Sequence, residues 1–193
     1  MTRVLRHLSL MVVLAIAVTS CDSKPQPRFV SDAREFGAPK AAFKANTDGR
    51  YFIEFRSRYA LSYGHSYVIF GRLDKAGAMV NPEVAGLAPA GTSTTPYILG
   101  HLVPVPAETG ASDGDLEEAY RSASWRVLLR EAEYRKTVAY IRQLQAKSRV
   151  WQASIYNCNA FVADIARSMG YRTPVIWMRP QQFITKLRQI NGG

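Results

Sequence analysis

Apolar and polar residues alternate over residues 51–56. Tyr51, Ile53 and Phe55 fall on one side and Phe52, Glu54 and Arg56 on the other, the period of two that marks a strand. A second strand is expected from about His65 to Leu73, ending at the turn-like Asp74-Lys75-Ala76-Gly77. Residues 77–96 are rich in Gly, Ala, Pro and Thr and read as a long loop. Tyr97 to Val105 reads as a further strand, with Pro104 and Pro106 marking its end or an edge position. Five acids lie between Glu108 and Glu118, which suggests an exposed acidic loop or a helix start. Trp125 to Leu129 suits a short strand. Tyr134, Val138, Ile141 and Leu144 then recur at helical spacing among Arg and Lys, predicting a helix over Glu131–Lys147. Val150 to Tyr156 is a strand or an extended lead-in to a second helix, Asn157 to Met169. Phe161, Val162, Ile165, Ala166 and Met169 share one face of that helix; Gly170 stops it and Pro174 prevents continuation. A last helix is expected over Pro180–Ile190. With no internal repeat, no second domain and no metal-type Cys/His cluster, the pattern predicts an α+β domain: a small antiparallel sheet packed against helices.

The first residues follow a different pattern. Arg3 and Arg6 precede an apolar run from Leu8 to Val18. Its length of about eleven residues fits a signal-peptide core and falls short of the roughly 20 that a bilayer span requires. The run ends in Val18-Thr19-Ser20-Cys21, which resembles the bacterial lipobox: an aliphatic residue, a small pair, then the cysteine that receives lipid. The resemblance implies that residues 1–20 are a lipoprotein signal peptide and that Cys21 is lipidated, making a membrane the first expected partner. An ordinary secretory signal with a chance cysteine is the alternative. Residues 21–42 are polar, with Pro25, Pro27 and Pro39, and read as a lipidated tether. Residues 43–193 form the expected domain. The location that follows is the cell envelope on the periplasmic side. Asp22 points to the inner membrane, where an aspartate after the lipidated cysteine retains lipoproteins in some bacteria.

The charge of +10 falls to +8 once Arg3 and Arg6 leave with the signal. Export argues against nucleic acid as the basic surface's partner and favours anionic lipid head groups or acidic envelope polymers; a solvated basic surface explains the charge equally well. Two cysteines are present. With Cys21 lipidated, Cys158 has no partner within the chain, and an odd cysteine in an oxidising compartment is either a small buried core residue or a reactive thiol.

Cys158 stands at the start of a predicted helix behind Asn157, a good N-cap residue. Free N–H groups and the helix dipole there favour a thiolate and can stabilise an oxyanion. Besides His7, lost with the signal, the chain holds only His65 and His101, both on expected strands. One imidazole as base and the other as its orienting group would complete the logic of a triad. Around these residues, Tyr156-Asn157-Cys158-Asn159-Ala160-Phe161-Val162 resembles the N-C-x-x-F-V signature of the lecithin:retinol acyltransferase-like group, the circularly permuted branch of the NlpC-type papain-like superfamily. His65-Ser66-Tyr67-Val68-Ile69-Phe70-Gly71 is similar to that group's histidine strand, and the order of histidine strand before cysteine helix agrees. The resemblance spans roughly residues 51–170. Two departures stand out: Asn159-Ala160 replaces the Glu-His that often follows the cysteine, and His101 lies 36 positions after His65 rather than about a dozen.

The resemblance implies a permuted papain-like fold and a cysteine hydrolase or acyltransferase acting through an acyl-enzyme. Cys158 would be the nucleophile, His65 the base and His101 a third member. The substrate would be a cell-wall peptide amide or a lipid ester, with no metal or organic cofactor. The rival is a non-catalytic envelope lipoprotein that uses the same scaffold as a binding module. Mass spectrometry of the mature N-terminus checks the export reading: a Cys21 peptide carrying lipid is expected, and an unmodified one refutes it.

Overall fold

The structure is a computed structural model that describes residues 33–35 by their backbone, and residues 50–60 and 63–192. The expected signal peptide, Cys21 and most of the expected tether lie outside the described residues. The chain is α+β, with a small antiparallel sheet and helices. In chain order the elements are β1 (Ala33–Glu35), β2 (Arg50–Arg58), β3 (His65–Leu73), β4 (Met79–Gly86), β5 (Ala88–Pro89), α1 (Thr95–Leu99), β6 (Val105–Glu108), a 3-10 turn (Glu118–Tyr120), β7 (Arg121–Leu129), α2 (Glu131–Lys147), β8 (Val150–Trp151), α3 (Cys158–Ser168) and α4 (Pro180–Ile190). Strand β1 falls within the stretch read as tether. No helix among the described residues is long and apolar enough to cross a membrane.

The main sheet runs β1-β7-β2-β3-β4; every pairing is antiparallel except that of β1 with β7. In the β2–β3 hairpin Arg50 pairs with Leu73 and Arg58 with His65, so Arg58 and His65 close one end of the sheet. A second, three-stranded sheet runs β5-β6-β8. The alternation of β2 and β3 divides the core in two. Ile53, Phe55, Val68 and Phe70 pack with Phe161, Val162 and Ile165 of α3 and with Phe183, Ile184 and Leu187 of α4. On the other face, Phe52, Tyr67, Ile69, Leu73 and Val84 form a smaller cluster. Glu54 and Arg56 are also buried. Arg56 Nε donates to Glu54 Oε1 at 2.7 Å, Arg126 Nε donates to Glu54 Oε2 at 2.7 Å, and Arg56 Nη1 reaches Glu118 at 2.8 Å. Charges this far from water persist only when paired.

Three local readings need correction. Residues 77–96 are not one long loop, since β4 and β5 lie within them. Strand β4 is an edge strand whose outer half is partly exposed; it carries Pro82 and a positive-φ Asn81, so it lacks the composition of a central strand. Tyr97 to Val105 is not a strand. Pro96 sits in the first turn of a short helix that begins at Thr95, and residues 100–103 continue in turns before β6. Gly100 is required there, because a Cβ would lie 2.4 Å from the Trp151 ring. Asp115, in the stretch expected to be an exposed acidic loop, is buried.

The later helices follow their apolar spacing. In α3, Asn157 Oδ1 accepts the Ala160 N–H at 3.0 Å and caps the helix, and Gly170, at φ +87°, turns the chain out. Phe161 has no exposed surface at the centre of the larger core. Phe161→Ala should therefore cost about 3–5 kcal/mol in a denaturant titration; a loss below about 1 kcal/mol would show that the helix buries a different face.

Candidate active site

Cys158, His65 and His101 all line one cavity of about 470 Å³ at the end of the sheet where β3 begins. Arg58, Tyr63, Leu87, Pro89, Tyr97, Ile98, Ser112, Trp151, Asn157 and Trp177 line it as well, so its walls are largely apolar and aromatic.

The thiol is held from both sides. Asn157 caps α3 and donates from Nδ2 to the carbonyls of Ala153 at 2.8 Å and Ile176 at 3.2 Å. Asn159 Nδ2 donates to the carbonyls of Ile176 at 3.0 Å and Met178 at 2.7 Å. With both amide protons used, Asn159 Oδ1 accepts from Ser66 Oγ at 2.8 Å. Ser66 is hydrogen-bonded to the Cys158 sulfur as well. Burial raises the thiol pKa; hydrogen bonds to the sulfur from Ser66 and from the backbone at Asn159 and Cys158 only partly oppose it. The helix start was expected to favour a thiolate. Here burial wins and the resting group is a neutral thiol.

His65 belongs to the opposite face of β3. Its ring stacks on Tyr67, with centroids 5.5 Å apart and planes 17° apart, while Ser66 turns toward α3. The two residues meet in one cavity only because the sheet ends there. Among the described residues, no hydrogen bond joins Cys158 to His65. Gly86 lies against the imidazole, where a Cβ would sit 2.8 Å from His65 Nε2. Burial lowers the His65 pKa to about 4; Asp115 pulls it up and Arg58 pushes it down. The ring is thus neutral at physiological pH, the form that can take a proton.

His101 is not on a strand. It follows α1 in a turn and packs edge-on against Trp151, centroids 6.3 Å apart. It shares the cavity with the other two residues from an exposed position.

Several residues of the site were missed in the sequence. Asp115 accepts from Arg58 Nε at 2.6 Å and, through Oδ2, from the Ser112 N–H at 2.7 Å; its backbone carbonyl accepts the Tyr67 hydroxyl at 2.6 Å. This cluster anchors the acidic loop beneath His65. Its one sequence signal was Ser112-Asp113-Gly114-Asp115, a turn-forming run that does not disclose burial. Trp177, whose Nε1 donates to the Ser154 carbonyl at 2.8 Å, flanks the mouth and carried no periodic signal. Among the described residues, no group of His, Cys, Asp and Glu is arranged to hold a metal ion. No protein-family model, curated protein or solved structure matches the chain.

The low His65 pKa carries a stability consequence. The unfolded imidazole titrates near its ordinary value of 6.5, the folded one near 4. Between these values the unfolded chain binds the extra proton, so the contribution is complete above about pH 6.5 and is lost as pH falls toward 4. Urea titrations across that range should show wild type losing up to roughly 3 kcal/mol more than His65→Asn. Parallel profiles would place a charged or exposed imidazole in the folded state.

Proposed function

We propose that this chain is an envelope lipoprotein with a circularly permuted papain-like domain of the NlpC type. It would act as a thiol hydrolase or acyltransferase on an amide or ester. The observation that carries the reading is a free thiol at the amino end of α3 facing the same cavity as a neutral imidazole. The order of histidine strand and cysteine helix supports the permuted assignment. Lipid on Cys21 would hold the domain at the periplasmic face of a membrane.

Catalysis begins with His65 accepting the S–H proton as the sulfur attacks the substrate carbonyl. The N–H groups of Cys158 and Asn159 lie outside the helix ladder in the first turn of α3 and suit the developing oxyanion. The tetrahedral intermediate collapses as the imidazolium returns its proton to the departing amine or alcohol, leaving an acyl thioester on Cys158. Water or a second nucleophile, deprotonated by His65, then takes the acyl group and restores the thiol. His101 contributes from across the cavity as a third polar group. The apolar walls at Leu87, Pro89, Tyr97 and Trp151 suit an acyl or aromatic group beside the scissile bond. No metal or organic cofactor takes part.

A second reading has its own support: a binding module with a dormant cysteine. The raised thiol pKa and the absence of a hydrogen bond from Cys158 to His65 among the described residues favour it. Incubation with an activated acyl ester, followed by peptide mass spectrometry, separates the two. The catalytic reading expects an acyl adduct on Cys158 that is absent in Cys158→Ala. Adduct formation should slow by roughly 100-fold or more in His65→Ala, as for loss of a general base, and less in His101→Ala. A thiol that forms no adduct and alkylates only after unfolding establishes the binding module. A large effect of His101→Ala with none from His65→Ala reverses the roles of the two histidines.

A further inference from the structure

Large apolar side chains are left in the open on the segments that line the cavity. Leu102 is 79% exposed, Ile155 72%, Trp177 69% and Ile98 67%; Val103 and Val175 are also more than half exposed. Ile98 and Trp177 line the cavity as well as facing outward, so the exposed surface is continuous with the site. Isolated exposed apolar residues are ordinary, but six of them on the segments that meet at one cavity mark an interaction surface.

Two features identify what that surface fits. The first is how the backbone is prepared. In the turn that carries Ile98, Leu102 and Val103, the N–H groups of Tyr97 and Ile98 bond to the Thr94 carbonyl. Those of Gly100, His101, Leu102 and Val103 bond to carbonyls of Pro96, Ile98 and Leu99. Trp177 Nε1 is satisfied by Ser154. The turn and the indole can therefore leave water without exposing unpaired N–H donors, one part of what entry into the edge of a hydrocarbon phase requires. The second feature is charge. Residues 95–107 contain no Lys, Arg, Asp or Glu, and no acid occurs after Asp164, whereas Arg167, Arg172, Arg179, Lys186 and Arg188 do. Arg172 and Arg179 are exposed on either side of Trp177 in the chain. Glu108 and Asp115 act on Tyr97, so the basic side of the rim is that of Trp177; there side chains such as Trp and Ile enter an anionic lipid interface while Arg179 meets the head groups.

We infer that the cavity mouth docks on an anionic bilayer through Ile98, Leu102, Ile155 and Trp177, as a contact separate from lipid on Cys21. The contact places the opening of the cavity against the membrane. It does not depend on a reactive Cys158, so Cys158→Ala leaves it unchanged.

The test uses the full chain bound to vesicles of equal parts phosphatidylcholine and phosphatidylglycerol, with a fraction of the acyl chains brominated. Attachment at the chain terminus and docking of the cavity mouth differ in how deeply Trp177 enters the bilayer, so the measurement is depth-sensitive quenching of tryptophan fluorescence, assigned to Trp177 by its loss in Trp177→Phe. Brominated chains should quench Trp177, and its access to acrylamide should fall several-fold relative to protein without vesicles. The double variant Ile98→Asp, Leu102→Asp should restore acrylamide access while its circular dichroism remains that of wild type. Arg172→Ala and Arg179→Ala should each weaken protection by roughly fivefold on anionic vesicles, with little change on phosphatidylcholine alone. Trp177 that stays equally open to acrylamide on vesicles overturns the inference. So does protection that appears without vesicles and rises with protein concentration, because the surface would then be covered by a second copy of the chain.

Discussion

The side chain of Asn159 ties together the parts of this molecule that would otherwise be independent. It is buried at the first turn of α3, and each of its polar atoms has a partner on a different stretch of chain: the Ser66 hydroxyl on β3 and the carbonyls of Ile176 and Met178. A buried amide left without one of these bonds costs about 1–3 kcal/mol, so the strand, the helix and the segment holding Trp177 are fixed as a set. Asn157 repeats the device one residue before the thiol, bonding to Ala153 and again to Ile176. Cys158 is therefore placed by its two neighbours as well as by the Ser66 bond to its sulfur.

The same network decides the state of the sulfur, and magnitudes show why. A helix start stabilises a negative charge by about 0.3–1 kcal/mol, less than the 1.36 kcal/mol that corresponds to one pKa unit. Full burial moves a titratable group by up to about 3–5 units. Cys158 is buried, and the hydrogen bonds from Ser66 and the backbone that favour its charged form are outweighed by the loss of water, so desolvation prevails. His65 shows the same balance: Asp115 and Arg58 act on it in opposite senses, and burial is left to set the outcome. Burial thus leaves both the thiol and the imidazole neutral at the cavity that they share.

The helices were legible because each buries a stripe at a spacing near 3.6, and the central strands because each alternates. Ile141 and Leu144, Phe161 and Ile165, and Phe183 and Leu187 are all buried. The failures came where a residue's setting is decided by something distant in sequence. Tyr97 and Ile98 carry strand-like propensities, but Pro96 lies in the first turn of a short helix and the approach of Trp151 to Gly100 fixes the path beyond it. Strand β4 is held by its register with β3, Val84 opposite Ile69 and Gly86 opposite Tyr67, a pairing that its own composition does not reveal. Asp115 reads as one acid among five; only the folded positions of Arg58 and Tyr67 make it a buried anchor. The co-location of Cys158 with His65 was foreseeable from the order of motifs. Their lack of a direct bond was not.

That lack follows from the geometry of a strand. His65 and Ser66 are consecutive, so their side chains must leave β3 on opposite faces. Ser66 turns toward α3 and binds Asn159, which commits His65 to the face of Tyr67. In the middle of a sheet two such residues cannot serve one site, because the sheet itself lies between them. At its end they can. His65 is the first residue of β3 and pairs with Arg58, the last of β2; Gly64, with φ +94° and its missing Cβ only 3.0 Å from the Arg58 carbonyl, lets the chain turn tightly into that position. The cavity opens at this rim, which is why Arg58 lines it together with His65 and Cys158. A site built around a strand edge depends on whatever fixes that edge, and here the Arg58–Asp115 pair and the stacked Tyr67 do so. The imidazole's position relative to the sulfur is thus set by the acidic loop on one face and by the Asn159 network on the other, each acting from its own side of the sheet.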